Sequence, residues 1–179
     1  MGNKKILAFG ASNSRNSINK KLASYAAMQI ENADVELIDL NDFEMPIYGI
    51  DKENEDGIPQ LAYKFKEHIL NSDAIVISFA EHNGAYTAAF KNVFDWISRI
   101  EKNVWADRPL FLLATSPGGR GGQGVLDIAY NKIKRMTSNE VVTFSLPSFA
   151  SNFKEESGII NGALNEEFTQ QLAIFIKAI

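Results

Sequence analysis

Short apolar runs alternate along the chain with longer stretches that repeat apolar residues at helical spacing. Residues Lys5–Gly10, Val35–Leu40, Ala74–Phe79, Leu110–Thr115 and Val141–Leu146 are mostly continuous apolar runs. Runs of this kind, with little polar alternation, mark strands buried on both faces of a parallel sheet. Between them, Ile18–Glu31, Ile58–Asn71, Thr87–Lys102 and Val125–Thr137 carry helical patterns, and Leu164–Ile179 closes the chain. Strand and helix alternating five times predict an open, doubly wound α/β sheet of five parallel strands. No linker or repeat divides the sequence, so residues 1–179 are expected to form one domain.

Two stretches depart from this regularity. In the last helix the apolar positions cover an arc of about 120°, a normal one-sided core stripe. In the third, Phe90, Val93, Phe94, Trp96, Ile97 and Ile100 spread over about 160°. That width has two readings, a deeply buried helix or a face that packs on another subunit. Residues 41–59, "NDFEMPIYGIDKENEDGIP", form a connection with two prolines, two glycines and an acidic run from Asp51 to Asp56. A loop of this length reads as a lid or a disordered insertion.

Composition narrows the function classes. A net charge of −4 argues against a nucleic-acid partner, which calls for a basic face. It also argues against a polybasic membrane surface, and no run approaches the ~18 apolar residues of a membrane span. The chain has no cysteine, hence no disulfide, thiolate metal site or cysteine nucleophile, and it is expected in the cytoplasm. No metal site is expected.

In an open α/β sheet, ligands bind at the carboxyl ends of the strands where the winding reverses. Three strand exits have unusual chemistry there. After the first strand, "SNSRNSIN" packs three serines, three asparagines and an arginine into eight residues. A helix N-terminus attracts anions, and Ser12, Ser14, Ser17 and Asn19 add donors while Arg15 adds charge. The loop is neither a Walker A nor a dinucleotide turn. Ser17 also stands where a plain N-cap would. After the third strand, "AEHNGAY" offers Glu81, His82 and Asn83 at the strand end, with an Asn83-Gly84 turn. After the fourth, "TSPGGRGGQG" has five glycines in ten positions, which lets backbone pass close to a ligand. His68, within a helical stretch, reads as a surface residue.

These residues resemble the NAD(P)H-dependent FMN reductases, a flavodoxin-like family whose members include quinone, azo-dye and chromate reductases. The family's first loop, Gly-Ser-x-Arg-x-x-Ser-x-Asn, is matched by Ser12, Ser17 and Asn19, with Ala11 for the glycine and Ser14 for the arginine. Its second, Pro-Glu-Tyr-Asn-Gly followed by Lys-Asn and Asp-Trp, is matched by Glu81, Asn83, Gly84, Lys91, Asn92, Asp95 and Trp96; Ala80 and His82 replace proline and tyrosine. "SPGGRGG" looks like the family's Ser- and Gly-rich loop beside the flavin. The resemblance spans roughly residues 4–155.

The resemblance implies strand order 2-1-3-4-5 with helices on both faces. It implies an FMN site built from Ser12, Ser14, Arg15, Ser17, Ile18, Asn19, Ala80, Glu81, His82, Asn83, Gly84, Ser116, Pro117, Gly118 and Gly119. NADPH or NADH would reduce the flavin, which would pass electrons to a flavin, quinone, azo compound or metal oxyanion. No side chain need act as acid or base; His82 is the one candidate for acceptor contact or proton delivery. A homodimer or homotetramer is expected. Three alternatives stay open: a flavodoxin-like electron carrier, a reductase supplying flavin to a monooxygenase, and a domain that has lost its cofactor.

Overall fold

Strand β1, Lys4–Ala11, alternates its side chains between the two sides of a sheet. Ile6 and Ala8 join one apolar cluster, Leu7 and Phe9 another. The computed structural model, which describes residues 2–179, extends this to four further strands: β2 (Ala33–Leu37), β3 (Ala74–Phe79), β6 (Leu110–Thr115) and β7 (Val141–Leu146). They pair in parallel in the order β2-β1-β3-β6-β7, which is 2-1-3-4-5 when only these five are counted. Helices α1 (Ile18–Met28) and α7 (Gly162–Ala178) bury their apolar stripes on one face. On the other lie α3 (Gln60–Leu70), α4 (Ala88–Ile100) and α5 (Gln123–Ile133). Two small hairpins complete the chain: β4–β5 (Glu81–His82, Ala85–Tyr86) and β8–β9 (Phe153–Lys154, Gly158–Ile159), the latter preceded by the short α6 (Phe149–Asn152).

Element edges shift by a few residues from the sequence pattern. The second strand starts earlier than Val35–Leu40, and it also stops earlier because Asp39 caps a 3-10 turn at Leu40–Phe43 through the Asn41 N–H.

The 41–59 connection is neither a lid nor a disordered insertion. It contains helix α2, Ile50–Asp56, and is fastened to α4. Asn92 Oδ1 accepts from Tyr48 N at 2.8 Å, while Asn92 Nδ2 donates to Met45 O and Pro46 O. Trp96 Nε1 donates to Pro46 O at 2.7 Å, and Arg99 Nε pairs with Glu53. A proline-rich segment offers carbonyls it cannot pair internally, and α4 supplies the donors.

The same contacts account for the wide stripe on α4. Trp96 is covered by Tyr48 edge-on, and Phe94 stacks on Trp105 of the following connection. Both flanks of the helix are thus filled by this chain itself, and the stripe is no sign of a second subunit.

Candidate functional site

The site begins where α1 presses against the sheet. A Cβ on Gly10 would lie 2.5 Å from Lys20 N, so only glycine lets the helix approach this closely. That approach puts the start of α1 over the carboxyl edge of β1. Ser17 is its N-cap and accepts from Lys20 N at 3.1 Å, and Ser12 Oγ accepts from Ser14 N at 3.2 Å. Each hydroxyl spends a lone pair on a backbone amide and keeps its own proton to donate. Lys20 turns away to Asp39 at 2.6 Å. Partial burial pushes the Asp39 carboxyl up, but hydrogen bonds from Lys20 and Asn41 outweigh it and leave the pKa below its ordinary value.

Asn19 does something the sequence pattern did not suggest. Its side chain is 3% exposed and faces the sheet. Nδ2 donates to Thr115 O at 3.1 Å, while Oδ1 accepts from Thr115 N at 3.1 Å and Ser78 Oγ at 2.7 Å. The amide thus ties the first turn of α1 to β3 and the β6 exit, and Asn19 still lines the cleft described below.

The second exit is the β4–β5 hairpin. Asn83 and Gly84 both take positive φ, 52° and 76°, as a type I′ turn requires. His82 is exposed on this hairpin. Thr87 caps α4 through Phe90 N and donates to Ala11 O at 3.0 Å, binding the second exit to the first. Tyr86, on the second strand of the hairpin, has burial push its phenol up to about 12.

The third exit is a tied loop rather than a slack one. Thr115 Oγ1 donates to Leu146 O, Phe149 N donates to Ser116 O, and Ser148 N donates to Gly118 O. Ser145 Oγ donates to Gly121 O at 3.1 Å.

The three exits meet around one cleft of 210 Å³. Its lining includes Ser12, Ser14, Ser17, Ile18, Asn19, Ala80, Glu81, His82, Ser116 and Pro117, together with Asn16 and Thr115, which the sequence reading left out. Asn16 escaped because it matches no fixed position of the first-loop pattern; Thr115 escaped because it reads as a strand residue. Asn83, Gly84, Gly118 and Gly119 flank this cleft in sequence but do not line it. Arg15 does not line this cleft; it lines a 690 Å³ groove between α1 and the β8–β9 hairpin that adjoins the cleft and shares Asn16 and Ser17 with it. Among the described residues no cluster of His, Asp or Glu could hold a metal ion, and no helix is long and apolar enough to cross a membrane.

A hydroxyl- and amide-rich half beside a backbone-rich, glycine-flanked half suits a ligand with a phosphate at one end and a flat ring at the other. The sequence profile of the NADPH-dependent FMN reductases matches residues 4–151. The chain belongs to that family. Among its relatives, an NADPH:quinone oxidoreductase of Arabidopsis thaliana is 35% identical over 89 residues, covering 50% of this chain and 44% of that protein. An NADPH azoreductase of Bacillus sp. (strain OY1-2) is 29% identical over 120 residues, covering 67% of this chain and 63% of that one. The matched stretch thus spans less than half the length of the plant relative. In structure the chain is similar to FerB, a flavoenzyme NAD(P)H:(acceptor) oxidoreductase from Paracoccus denitrificans. The TM-score is 0.76 with 22% identity, covering 98% of this chain and 96% of that one. At that identity the likeness speaks for the flavodoxin-like fold of this FMN reductase family member.

Proposed function

We propose that this protein is an FMN-dependent NAD(P)H oxidoreductase that passes electrons to a small acceptor such as a quinone or an azo compound. The observation that carries the reading is the convergence of three chemically distinct strand exits on one cleft. The Ser12, Ser14 and Ser17 hydroxyls and the first amides of α1 hold the phosphate. No acid stands in that half to repel it. Backbone of residues 80–83 and 116–119 flanks the ring, where small residues leave room for it. Bound FMN supplies hydride acceptance and electron release; the protein binds it, orients its ring and leaves one side open to donor and acceptor in turn. His82, exposed at the rim, contacts the acceptor. In this reading the protein works in the cytoplasm on NADPH or NADH. It works as a homodimer or homotetramer, for which Ile47, 87% exposed, and Ile50 supply apolar surface.

The test is the visible spectrum of FMN-saturated protein under anaerobic conditions, before and after NADPH. Rapid bleaching is expected. A bound flavin that stays oxidised overturns the reductase reading, and absent binding overturns the site. Ser17→Ala is expected to weaken FMN binding about tenfold or more while costing the free protein about 1 kcal/mol as a lost cap.

A further inference from the structure

The third exit leads into a helix that cannot cap itself. The N-cap of α5 is Gly122, which has no side chain to offer and a left-handed φ of 76°. A capping Ser, Asp or Asn there would have to hold that φ with its Cβ 3.1 Å from Ala114 Cβ. Gly121 is more confined still, since a Cβ would lie 2.9 Å from Pro147 N. Close approach of this loop to the sheet therefore forfeits the local cap.

The missing acceptor comes from another loop. Glu81 Oε2 accepts the N–H of Val125 at 3.1 Å. Val125 is the third residue of α5, and its amide is one that a cap side chain ordinarily takes. Gly124 leaves the space for this contact, because a Cβ there would meet the same Oε2 at 3.1 Å. Glu81 opens the β4–β5 hairpin, faces Tyr86 across it, and lines the cleft beside Ser116 and Pro117. Its carboxylate also offsets the partial positive charge at the start of α5.

We infer that Glu81 is a positioning residue that clamps the hairpin to α5, fixes the gap between the two loops flanking the flavin ring, and tunes the ring through its charge. The inference rests on the FMN reading above. Charge beside a flavin is one of the levers by which a protein sets its electronics. A carboxylate there opposes electron uptake by Coulomb repulsion, so removing its charge raises the midpoint potential.

Glu81→Gln and Glu81→Ala in the full chain test this. Gln keeps a carbonyl to accept from Val125 N but carries no charge. It is expected to leave amide exchange at residues 122–126 of the flavin-free protein unchanged, while the midpoint potential of bound FMN becomes more positive. Ala is expected to speed exchange at those amides and weaken FMN binding, each at least ~tenfold. Wild-type exchange in Glu81→Ala overturns the clamp. A Glu81→Gln potential equal to or below that of wild type overturns the tuning. If wild-type protein fails to bind FMN, the proposed function falls and exchange in the free protein still decides the clamp.

Discussion

Helix α1 begins at the cleft and α5 begins beside it, joined to it through Glu81, and the two begin in opposite ways. The first has its own cap, Ser17, inside a loop crowded with hydroxyl and amide side chains. The second starts from a left-handed glycine and takes its acceptor from Glu81, far away in sequence. A compact anion needs many donors aimed inward, which side chains provide. A flat ring needs a surface without protruding side chains, which glycine backbone provides, but glycine leaves the helix uncapped. The difference teaches that each loop is composed for the part of the ligand it faces, and that the structural debt of the barer loop is met by its neighbour.

The largest effect is expected from breaking the tie between the two starts. Asn19, in the first turn of α1, bonds both Thr115 N and Thr115 O and accepts from Ser78 Oγ. Asn19→Leu keeps the volume but strands all three groups in a buried place. Flavin-free protein is expected to lose roughly 3 kcal/mol in urea unfolding. Were Asn19 a ligand contact only, stability without flavin would not change. That outcome would return Asn19 to the phosphate.

A smaller effect sharpens the glycine side of the comparison. Gly121→Ala must place its Cβ 2.4 Å from Ser145 Oγ and 2.9 Å from Pro147 N at a φ of +60°. The expected cost is about 2 kcal/mol, from left-handed strain and forced movement of the β7 exit. Gly119→Ala, two residues earlier, meets nothing within 4 Å and is expected to change stability by less than about 0.5 kcal/mol. Equal costs at the two positions would mean that the loop is loosely held despite its hydrogen bonds to β7.

The parallel sheet was legible because it follows from apolar runs such as Ala74–Phe79 and Leu110–Thr115, buried on both faces, while its strand order came only with the family resemblance. The three loops were legible as well, since Ser, Asn and Gly cluster visibly at strand ends. What each side chain does within them was less so. Asn19 reads as an outward donor in sequence; its inward turn depends on Thr115, 96 residues away. Arg15 carries charge at the right place in the chain but lines the adjoining groove rather than the cleft itself. The fastening of residues 41–59 was hidden for the same reason, because Asn92 and Trp96 serve carbonyls more than 40 residues away.

A modest gain in stability is the expected effect of the change that tests the hairpin carrying Glu81. Tyr86 faces Glu81 across that hairpin and packs its ring on Phe79 and Phe90. Its hydroxyl is buried with no hydrogen-bond partner among the described residues. Tyr86→Phe removes that group and keeps the ring, so stability near neutral pH is expected to rise by up to about 1 kcal/mol. The pH dependence has a definite sign. Tyrosine in the unfolded chain ionises near 10, as ~10 is its reference value, whereas burial pushes Tyr86 up to about 12. Its contribution is therefore complete below about pH 10 and is lost as pH rises toward the folded value. Urea midpoints at pH 8 and pH 11 should show the wild type losing more than the Phe variant over that interval. A Phe variant less stable than wild type at both pH values would mean that the hydroxyl is satisfied in solution. The hairpin would then be anchored through Tyr86 as well as through Glu81, making the α5 side of the cleft as firmly held as the α1 side.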